Sequence, residues 1–539
     1  MKTQVKRWYK KHKPALVAAA LTLLSIIGLS LPFLGYNLGW LGLVGLLPLL
    51  YLLQYLQKHG EVKALGFWWM VGFGSQAIIL FWMLQTQPER WAGTSGWTAI
   101  GGLVFGYLAF ALVLSVGFVV AGWLYKLTKS KLDNPWVFLT LPAAWVIGEF
   151  VRSWLFSVIS SGPNTTLGPF WNFGALGFAA SVTPLVYLSR FVGLWGLSFA
   201  VVVVNLAVFW LLHKRWKLPA VIGFGLMLAT VLSWLIYKDA SSKSISVAAV
   251  QLGTNDSLQI GGLDFRQGLF KLSQAKQAEV LVLSEYSGIF AEDKSQTDQA
   301  LAHKLLSSEN APIITSTQTQ PGADSTERRN TLTVYNPEGK IVREQDKQFL
   351  IPIGEAMPYA FIFLLKAIGQ GKVIDDQFQS REVTRSPKPD TTFELNDLKI
   401  GALACSGAIG PELYRSLAVG GAQILTNSAS LSIFAKAPAY HQQAQQMARF
   451  IAVANARPFV QATDGSYSFI IDQNGSWLAK SGQQNLELLV ESVKLNNTKT
   501  LYTLLGEWAV VASAGVLVVA AVYSRRKLDN HKRNSYTNG

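Results

Sequence analysis

Apolar residues run almost unbroken from 15 to 237 and again from 501 to 523. Residues 241–500 instead mix charges, short apolar runs and turn residues, as a water-facing domain does. A helix of about 20 apolar residues crosses a bilayer. Eight such runs are predicted, at roughly 15–30, 36–56, 64–84, 98–124, 136–152, 181–212, 218–237 and 501–523. The sixth is long, and its first residues, 181–187, read as a re-entrant or interfacial piece. Between 241 and 500 the period changes. SISVAAVQL, EVLVLSE, APIITSTQT, LKIGALAC, AQILTNSAS, PFVQAT and SYSFIIDQNGSW read as strands, and 265–277, 298–307, 411–419 and 439–455 as helices. TLTVYNPEGKIVRE reads as a hairpin turning at Asn336-Pro337-Glu338-Gly339. This alternation predicts an α/β sandwich around a buried sheet. The charged, Pro-containing stretch 366–392 reads as a long surface loop of the kind that can form a lid.

Lysine and arginine positions set the expected orientation. Lys2, Lys6, Arg7, Lys10, Lys11 and Lys13 precede the first run. Lys58 and Lys63 follow the second; Lys126, Lys129 and Lys131 the fourth; Lys214, Arg215 and Lys217 the sixth. Arg525, Arg526, Lys527, Lys532 and Arg533 follow the eighth. Every second connection is basic, which predicts cytoplasmic termini and an extracytoplasmic 241–500 domain. The basic-then-apolar start also has the form of a cleaved signal peptide. No small-x-small cleavage site stands out, and the other basic connections need this run for their parity. The chain of 539 residues has a formal net charge of +15. Residues 241–500 are nearly neutral, with 24 Lys/Arg against 25 Asp/Glu. The excess belongs to the membrane flanks, so nucleic acid is not an expected partner.

Candidate chemistry lies in the 241–500 segment. Cys405, the only cysteine, ends the run KIGALAC, before the turn SGAIGP and the helical spacing of ELYRSLAVG. With no second cysteine, no intrachain disulfide forms. A thiol at a strand-to-helix turn is expected to point out of the fold, and the nearby helix N-terminus to favour the thiolate. Against this stands the plain reading of a lone cysteine as a small buried hydrophobe. Two further strand ends favour the chemical reading. LVLSE ends at Glu285, and Lys347 lies in REQDKQFLIPIGEAMPY between a strand-like stretch and a Pro/Gly-rich loop. Glu, Lys and Cys at three strand ends, in that order, resemble the triad of the nitrilase superfamily. A carboxylate can take and return the thiol proton, a cation can hold an oxyanion, and a thiolate can attack a carbonyl carbon. No internal repeat, metal-ligand spacing, P-loop or dinucleotide glycine motif is present, so no cofactor or metal is expected.

The membrane half adds one polar pair. Glu149 and Arg152, in WVIGEFVRSWLF, are three apart and share a helix face. Ionisable residues at the end of a span suggest function by default; the alternative is an interfacial pair that snorkels. The Trp-, Phe-, Gly- and Pro-rich stretch 153–180 is expected beside the outer domain, its aromatics acting as interfacial anchors; the alternative is contact with a lipid substrate.

Eight spans with a nitrilase-like domain before the last resemble the apolipoprotein N-acyltransferase family over nearly the whole chain. The resemblance rests on WVIGEFVRS (145–153), GLWGLSFAVVVVN (193–205), VAAVQ (247–251), LVLSE (281–285) and K-x-x-L-I-P-I-G-E-x-M-P (347–358). It also rests on Cys405, the Asn427 strand, His441, N-x-R-P (455–458) and GSYSFIIDQNGSW (465–477). It implies an α-β-β-α nitrilase-like sandwich over 241–500, between a membrane domain (1–240) and a last span with a basic cytoplasmic tail (501–539). It also implies a multi-pass protein of the bacterial cytoplasmic (inner) membrane, expected to act as a monomer. The implied reaction moves an acyl chain from a phospholipid to Cys405, then to the N-terminal amine of a lipidated lipoprotein. Glu285 would be the general base, Lys347 the oxyanion stabiliser and Cys405 the nucleophile. Glu355, with Ser406 beside the nucleophile, would support them.

Three departures stand out. Ser406-Gly407 replaces the family's Tyr-Glu. Asn427-Ser428-Ala429-Ser430-Leu431 replaces Asn-Asp-Ala-Trp-Phe. Ile451-Ala452-Val453-Ala454 replaces Arg-Ala-x-Glu. On this reading the family's acidic groups and its tryptophan at these positions are missing. The competing readings are a membrane-anchored nitrilase-type amidase and a non-catalytic relative.

Overall fold

The computed structural model describes residues 2–59, 64–86, 96–163, 165–238, 243–251, 278–287, 312–320, 327–336, 340–367, 383–385, 390–483 and 486–537. Short pieces between 255 and 273, at 302 and 304, and between 369 and 372 are also described. The membrane part is built from α1 (Lys2–Ser30), α2 (Leu47–His59), α3 (Ala64–Ile79), α4 (Gly96–Leu127), α5 (Val137–Ile159), α6 (Ser189–Leu212) and α7 (Lys217–Tyr237). Among the described residues, seven helical stretches are long and apolar enough to cross a membrane: Pro14–Phe33, Tyr36–His59, Ala64–Gln85, Ile100–Leu127, Pro184–Leu212, Lys217–Tyr237 and Trp508–Arg526. The expected run at 136–152 falls in α5, which is not one of the seven; Glu149, Arg152 and its serines dilute its apolar character. It is instead packed by its neighbours α4 and α6. The expected re-entrant piece is a tight turn, Pro184–Leu188, leading into α6. That helix is kinked at Gly193 (φ 65°), where a Cβ would stand 2.5 Å from the Tyr502 ring. Only glycine combines that backbone angle with that approach.

The α/β part contains β1 (Ser244–Gln251), β2 (Val280–Glu285), β3 (Ile313–Thr319), β4 (Arg329–Tyr335), β5 (Ile341–Asp346), α8 (Tyr359–Ala367), β6 (Phe393–Leu395), β7 (Leu398–Ala404), α9 (Pro411–Val419), β8 (Ile424–Ser430), α10 (Pro438–Asn455), β9 (Phe459–Asp464), β10 (Phe469–Ile471), β11 (Trp477–Lys480) and β12 (Glu487–Lys494). The chain then enters α11 (Trp508–Thr537). Two six-stranded sheets form, ordered β12-β1-β2-β3-β4-β5 and β11-β10-β9-β8-β7-β6. The expected hairpin is present, with β4 antiparallel to β5. Strand β2 is buried along its whole length and lies inside its sheet, whereas β5, IVREQD, is an edge with exposed positions. This is the difference expected between a strand covered on both faces and one that meets water. Val247, Val282, Ile314, Ile400, Val460 and Ile470 meet between the sheets, which pack face to face as the α-β-β-α sandwich expects.

Helix α10 fastens the α/β part to the membrane helices. Gln443 donates to the Ile79 carbonyl (3.0 Å) and Gln446 to the Pro32 carbonyl (2.8 Å). The buried Arg190 of α6 donates to the carbonyls of Val453 (3.2 Å) and Gln473 (2.8 Å). Backbone carbonyls hidden from water need such partners. Helix α8 was not expected from the sequence; it carries no buried residue, and Phe363 on it is 77% exposed. Most of the expected helices at 265–277 and 298–307, and most of the loop 366–392, lie outside the described residues.

Candidate active site

Three strand ends converge. Strand β2 delivers Glu285 on its last residue, the segment after β5 delivers Lys347, and the turn after β7 delivers Cys405. Lys347 is set by its own backbone, whose N–H donates to the Asn330 carbonyl on β4 (2.7 Å). The Lys347 ammonium lies 2.7 Å from Glu355 Oε1 and 3.8 Å from Glu285 Oε1. Glu355 is held from two further sides, by Asn330 Nδ2 and by the Ile351 N–H (2.8 Å). Asn330 also accepts from the Tyr286 hydroxyl at 2.8 Å. Neither Asn330 nor Tyr286 was singled out in the sequence. A buried Asn at the start of an apolar strand was the one available signal, because such an amide needs polar partners.

Cys405 has φ 41°, in the left-handed region that a non-glycine residue rarely adopts. Such strain, held by surrounding structure, is typical of a nucleophile set on a sharp turn. The expectation of an outward-pointing thiol needs correcting. Cys405 is 8% exposed and lines an internal cleft. Its thiol donates weakly to the Ser430 carbonyl (3.6 Å), and the Ser430 N–H donates to Glu285 Oε2 (3.2 Å). The expected thiolate is also corrected. Burial and the neighbouring Glu285 push the thiol well above its ordinary value, against the pull of Lys347. The thiol is therefore favoured over the thiolate at rest. Glu285 is suited to receive its proton. Burial pushes its carboxyl up to about 7, opposed by Lys347 and reinforced by Glu355. Among the described residues Oε1 accepts no hydrogen bond. Burial alone would lower Lys347, but Glu355 and Glu285 together hold it above its ordinary value, so it stays cationic. A neutral thiol, a base near neutrality and a fixed cation can form and collapse a tetrahedral intermediate.

The cleft measures about 390 Å³. Glu285, Asn330, Glu355, Cys405, Ser406 and Ser430 line its α/β side. Leu80 and Trp82 after α3, Leu103, Gly106 and Phe110 of α4, and Phe156 of α5 line its membrane side. Ser406 donates to the Phe349 carbonyl (2.5 Å) and so ties the turn after β7 to the Lys347 loop. Trp171 and Phe173 also line the cleft; Phe170 and Trp171 pack on Phe349 with ring centroids at 4.9 and 5.7 Å. The expectation that these aromatics anchor in lipid is corrected, since all three are buried between the two parts.

Glu149 and Arg152 are a second departure. They lie outside the cleft, 4.0 Å apart and buried rather than snorkelling. Glu149 accepts from Trp145 Nε1 and the Leu176 N–H, both at 2.9 Å, and Arg152 donates to the Phe173 carbonyl (3.2 Å). They pin the 172–176 turn, and with it the aromatic wall. The altered positions also separate. Ile451–Ala454 are buried where α10 meets the sheet and α6, and do not line the cleft. Gly407 lines a separate small cavity with Gln345, Lys347 and Asp390 and does not line the cleft. A Cβ there would stand 2.7 Å from the Leu403 Cβ. Of the altered residues, Ser406 and Ser430 line the cleft with Glu285 and Cys405, and Leu431 lines a second small cavity with Cys405. His441 is buried, joined to Ser466 (2.7 Å) and Gln483 (3.0 Å), and burial lowers it to about 4, so it is a neutral packing residue.

Thiol chemistry at a carbonyl carbon, housed in a twin-sheet α/β domain, defines a carbon–nitrogen hydrolase-type protein, here carried on membrane helices. Residues 246–502 match the carbon-nitrogen hydrolase family model, and residues 25–207 match the apolipoprotein N-acyltransferase N-terminal domain. An apolipoprotein N-acyltransferase of a Nostoc species is 24% identical over 510 residues, covering 88% of this chain and 93% of the relative. That of Shewanella oneidensis is 23% identical over 548 residues, covering 97% and 99%. The crystal structure of a carbon-nitrogen hydrolase from Helicobacter pylori aligns with a TM-score of 0.36 at 15% identity, covering 49% of this chain and 94% of that one. The chain belongs to the apolipoprotein N-acyltransferase family.

Proposed function

We propose that this protein transfers an acyl chain from a membrane phospholipid, through a thioester on Cys405, to the N-terminal amine of a lipidated lipoprotein. The observation that carries the reading is the cleft, which joins the thiol directly to apolar side chains of the membrane helices. An acyl chain lying against Leu103, Gly106 and Phe110 would bring its ester carbonyl to Cys405. Glu285 takes the thiol proton as sulfur attacks the ester carbon, and the Lys347 ammonium holds the oxyanion. The carbon–oxygen bond then breaks, and Glu285 returns the proton to the lysophospholipid oxygen. In the second half the neutral amine attacks the thioester carbon and gives its proton to Glu285. The carbon–sulfur bond breaks, and that proton returns to sulfur. Glu355, held by Asn330 and the Ile351 N–H, keeps Lys347 in place. The buried thiol suits this sequence, because a thioester that met water freely would hydrolyse before the amine arrived.

For this chemistry the membrane arrangement is read as eight spans, counting α5 as the one whose polar pair is paired inside the bundle. The division is a membrane domain over 1–240, a catalytic domain over 241–500 on the outer face of a bacterial cytoplasmic membrane, and 501–539 as the last span and cytoplasmic tail. The alternating basic connections support this orientation, and the protein acts as a monomer.

Mass spectrometry of the purified protein, incubated with phospholipid, tests the function. An acyl adduct on Cys405 that moves to a diacylglyceryl lipopeptide is expected. An adduct released only to water would identify an amidase-type hydrolase, and no adduct at all would overturn the catalytic reading.

A further inference from the structure

A second cleft, of about 670 Å³, opens at the other end of the same helices. The active-site cleft runs from residues just after α3 along α4 from Gly102 to Leu114; this one touches Ala64 and Trp68 at the start of α3, and Gly122 and Lys126 at the end of α4. Leu103 and Gly122 are separated by 19 helical residues, about 28 Å at 1.5 Å per residue. That is close to the hydrocarbon thickness of a bilayer. The outer end of the first cleft and the second cleft therefore lie about one hydrocarbon thickness apart along the helix bundle.

Five cations line the second cleft, and they come from three separate parts of the chain. Lys58 ends α2; Lys126, Lys129 and Lys131 close α4 and its turn; Arg215 lies in the turn between α6 and α7. Among the described residues none of the five forms a salt bridge with a carboxylate. Arg215 donates to the Asp133 carbonyl (2.7 Å) and stacks over Trp210, which fixes its place at the rim. Among the described residues Asp133 is the one carboxylate lining the cleft, against five cations. Among the described residues the Ser130 hydroxyl, buried in the lining, has no hydrogen-bond partner. Deeper walls are apolar, formed by Leu56, Leu65 and Trp68.

Orientation in the membrane accounts for basic residues near this face. It requires only that they lie in the connections; it does not require three connections to converge on one cleft above an apolar floor. A cationic rim, a free hydroxyl and an apolar floor fit a phosphate headgroup with its acyl chains attached. We propose that this cleft binds an anionic phospholipid of the leaflet opposite the catalytic domain. The inference rests on the membrane placement and is independent of the acyl-transfer reading, since its test reads no transfer.

Native mass spectrometry of the full-length protein in detergent tests it, with phosphatidylglycerol, a two-phosphate cardiolipin or phosphatidylethanolamine added. Wild-type protein should retain one anionic lipid at least ten-fold more strongly than phosphatidylethanolamine. Each cation lost should weaken retention about five-fold, so Lys126→Gln/Lys129→Gln/Lys131→Gln should weaken it about 10²-fold. Lys126→Gln/Leu127→Lys keeps the charge of this connection, and with it the insertion orientation, but moves one cation off the cleft lining. It should lose about the same five-fold as Lys126→Gln alone. Millimolar inorganic phosphate should not displace the lipid. Equal retention of anionic and zwitterionic lipids, or unchanged retention in the triple variant, would overturn the proposal. Full displacement by inorganic phosphate would overturn the lipid assignment in favour of a free-phosphate site.

Discussion

Lys347 stands between two carboxylates in a site with little access to water, so replacing it with the uncharged Met tests the charge arrangement directly. Its ammonium lies 2.7 Å from Glu355 and 3.8 Å from Glu285, with all three groups largely buried. Two effects are expected. The oxyanion loses its cation, which costs about 10²–10³ in the rate of acyl-enzyme formation. The carboxylates also lose their partner; leaving buried charge uncompensated costs about 3–5 kcal/mol of stability. This second effect should depend on pH, and its sign can be worked out. Glu285 in the folded protein is already raised from 4.5 to about 7, with Lys347 pulling it down. Removing Lys347 raises it further. A carboxyl raised by folding contributes stability below its unfolded value and loses it as pH rises through the folded one. The thermal midpoint of Lys347→Met in detergent should therefore lie close to wild type below pH 4.5 and fall behind it through pH 7 and above. The acid limb of the single-turnover acylation rate, near pH 7 in the wild type, should move to higher pH. Single-turnover acylation at pH 6 to 9, followed by mass shift, reads both quantities. A rate within a factor of a few of wild type, or an acid limb that stays put, would refute the role given to Lys347.

Cys405→Ser should fold and show no thioester-linked adduct; a hydroxylamine-labile acyl group in that variant would remove Cys405 as nucleophile. Gly106→Phe places a ring where a Cβ would meet nothing within 4 Å, in the wall of the cleft. It should raise the apparent KM for long-chain donors by about ten-fold or more and spare short ones, as donor-length kinetics would show. Gly407→Glu should not improve transfer to the lipopeptide, because that position lines a cavity separate from the cleft; overpacking against Leu403 should cost about 1–3 kcal/mol in a melt. Faster transfer would return this position to acceptor binding. In a Cys405→Ser background, Lys399→Cys should label with an impermeant maleimide in intact cells and Lys214→Cys should not. The reverse pattern would invert the topology.

The strands, seven of the eight apolar runs and the three residues that converge at strand ends were legible because each has a local cause. Period and apolar run length mark β2 and α4, and residue chemistry marks Glu285, Lys347 and Cys405. Helix α5 was legible as a helix, but its Glu149–Arg152 pair was not legible as a buried pin, since only the 172–176 turn supplies its partners. Asn330 and Tyr286 escaped notice for the same reason. They act through a hydrogen bond to each other across 44 positions of the chain.

Taken alone, the sequence determined the kind of chain: a membrane bundle, an α/β domain, and a Cys–Lys–Glu set at strand ends. Those follow from periodicity and side-chain type, which are local. The tertiary structure decided the protonation of the site, the direction of the thiol and the relevance of the altered positions. Burial and neighbouring charge, both set by residues far apart in sequence, favour the thiol form of Cys405 and bring Glu285 near neutrality. Gly407, close against Leu403 of β7, lines a cavity separate from the cleft, and α10 carries Ile451–Ala454 into an interface. Desolvation and side-chain direction depend on what the completed fold places around a residue, and neighbours in sequence do not specify that.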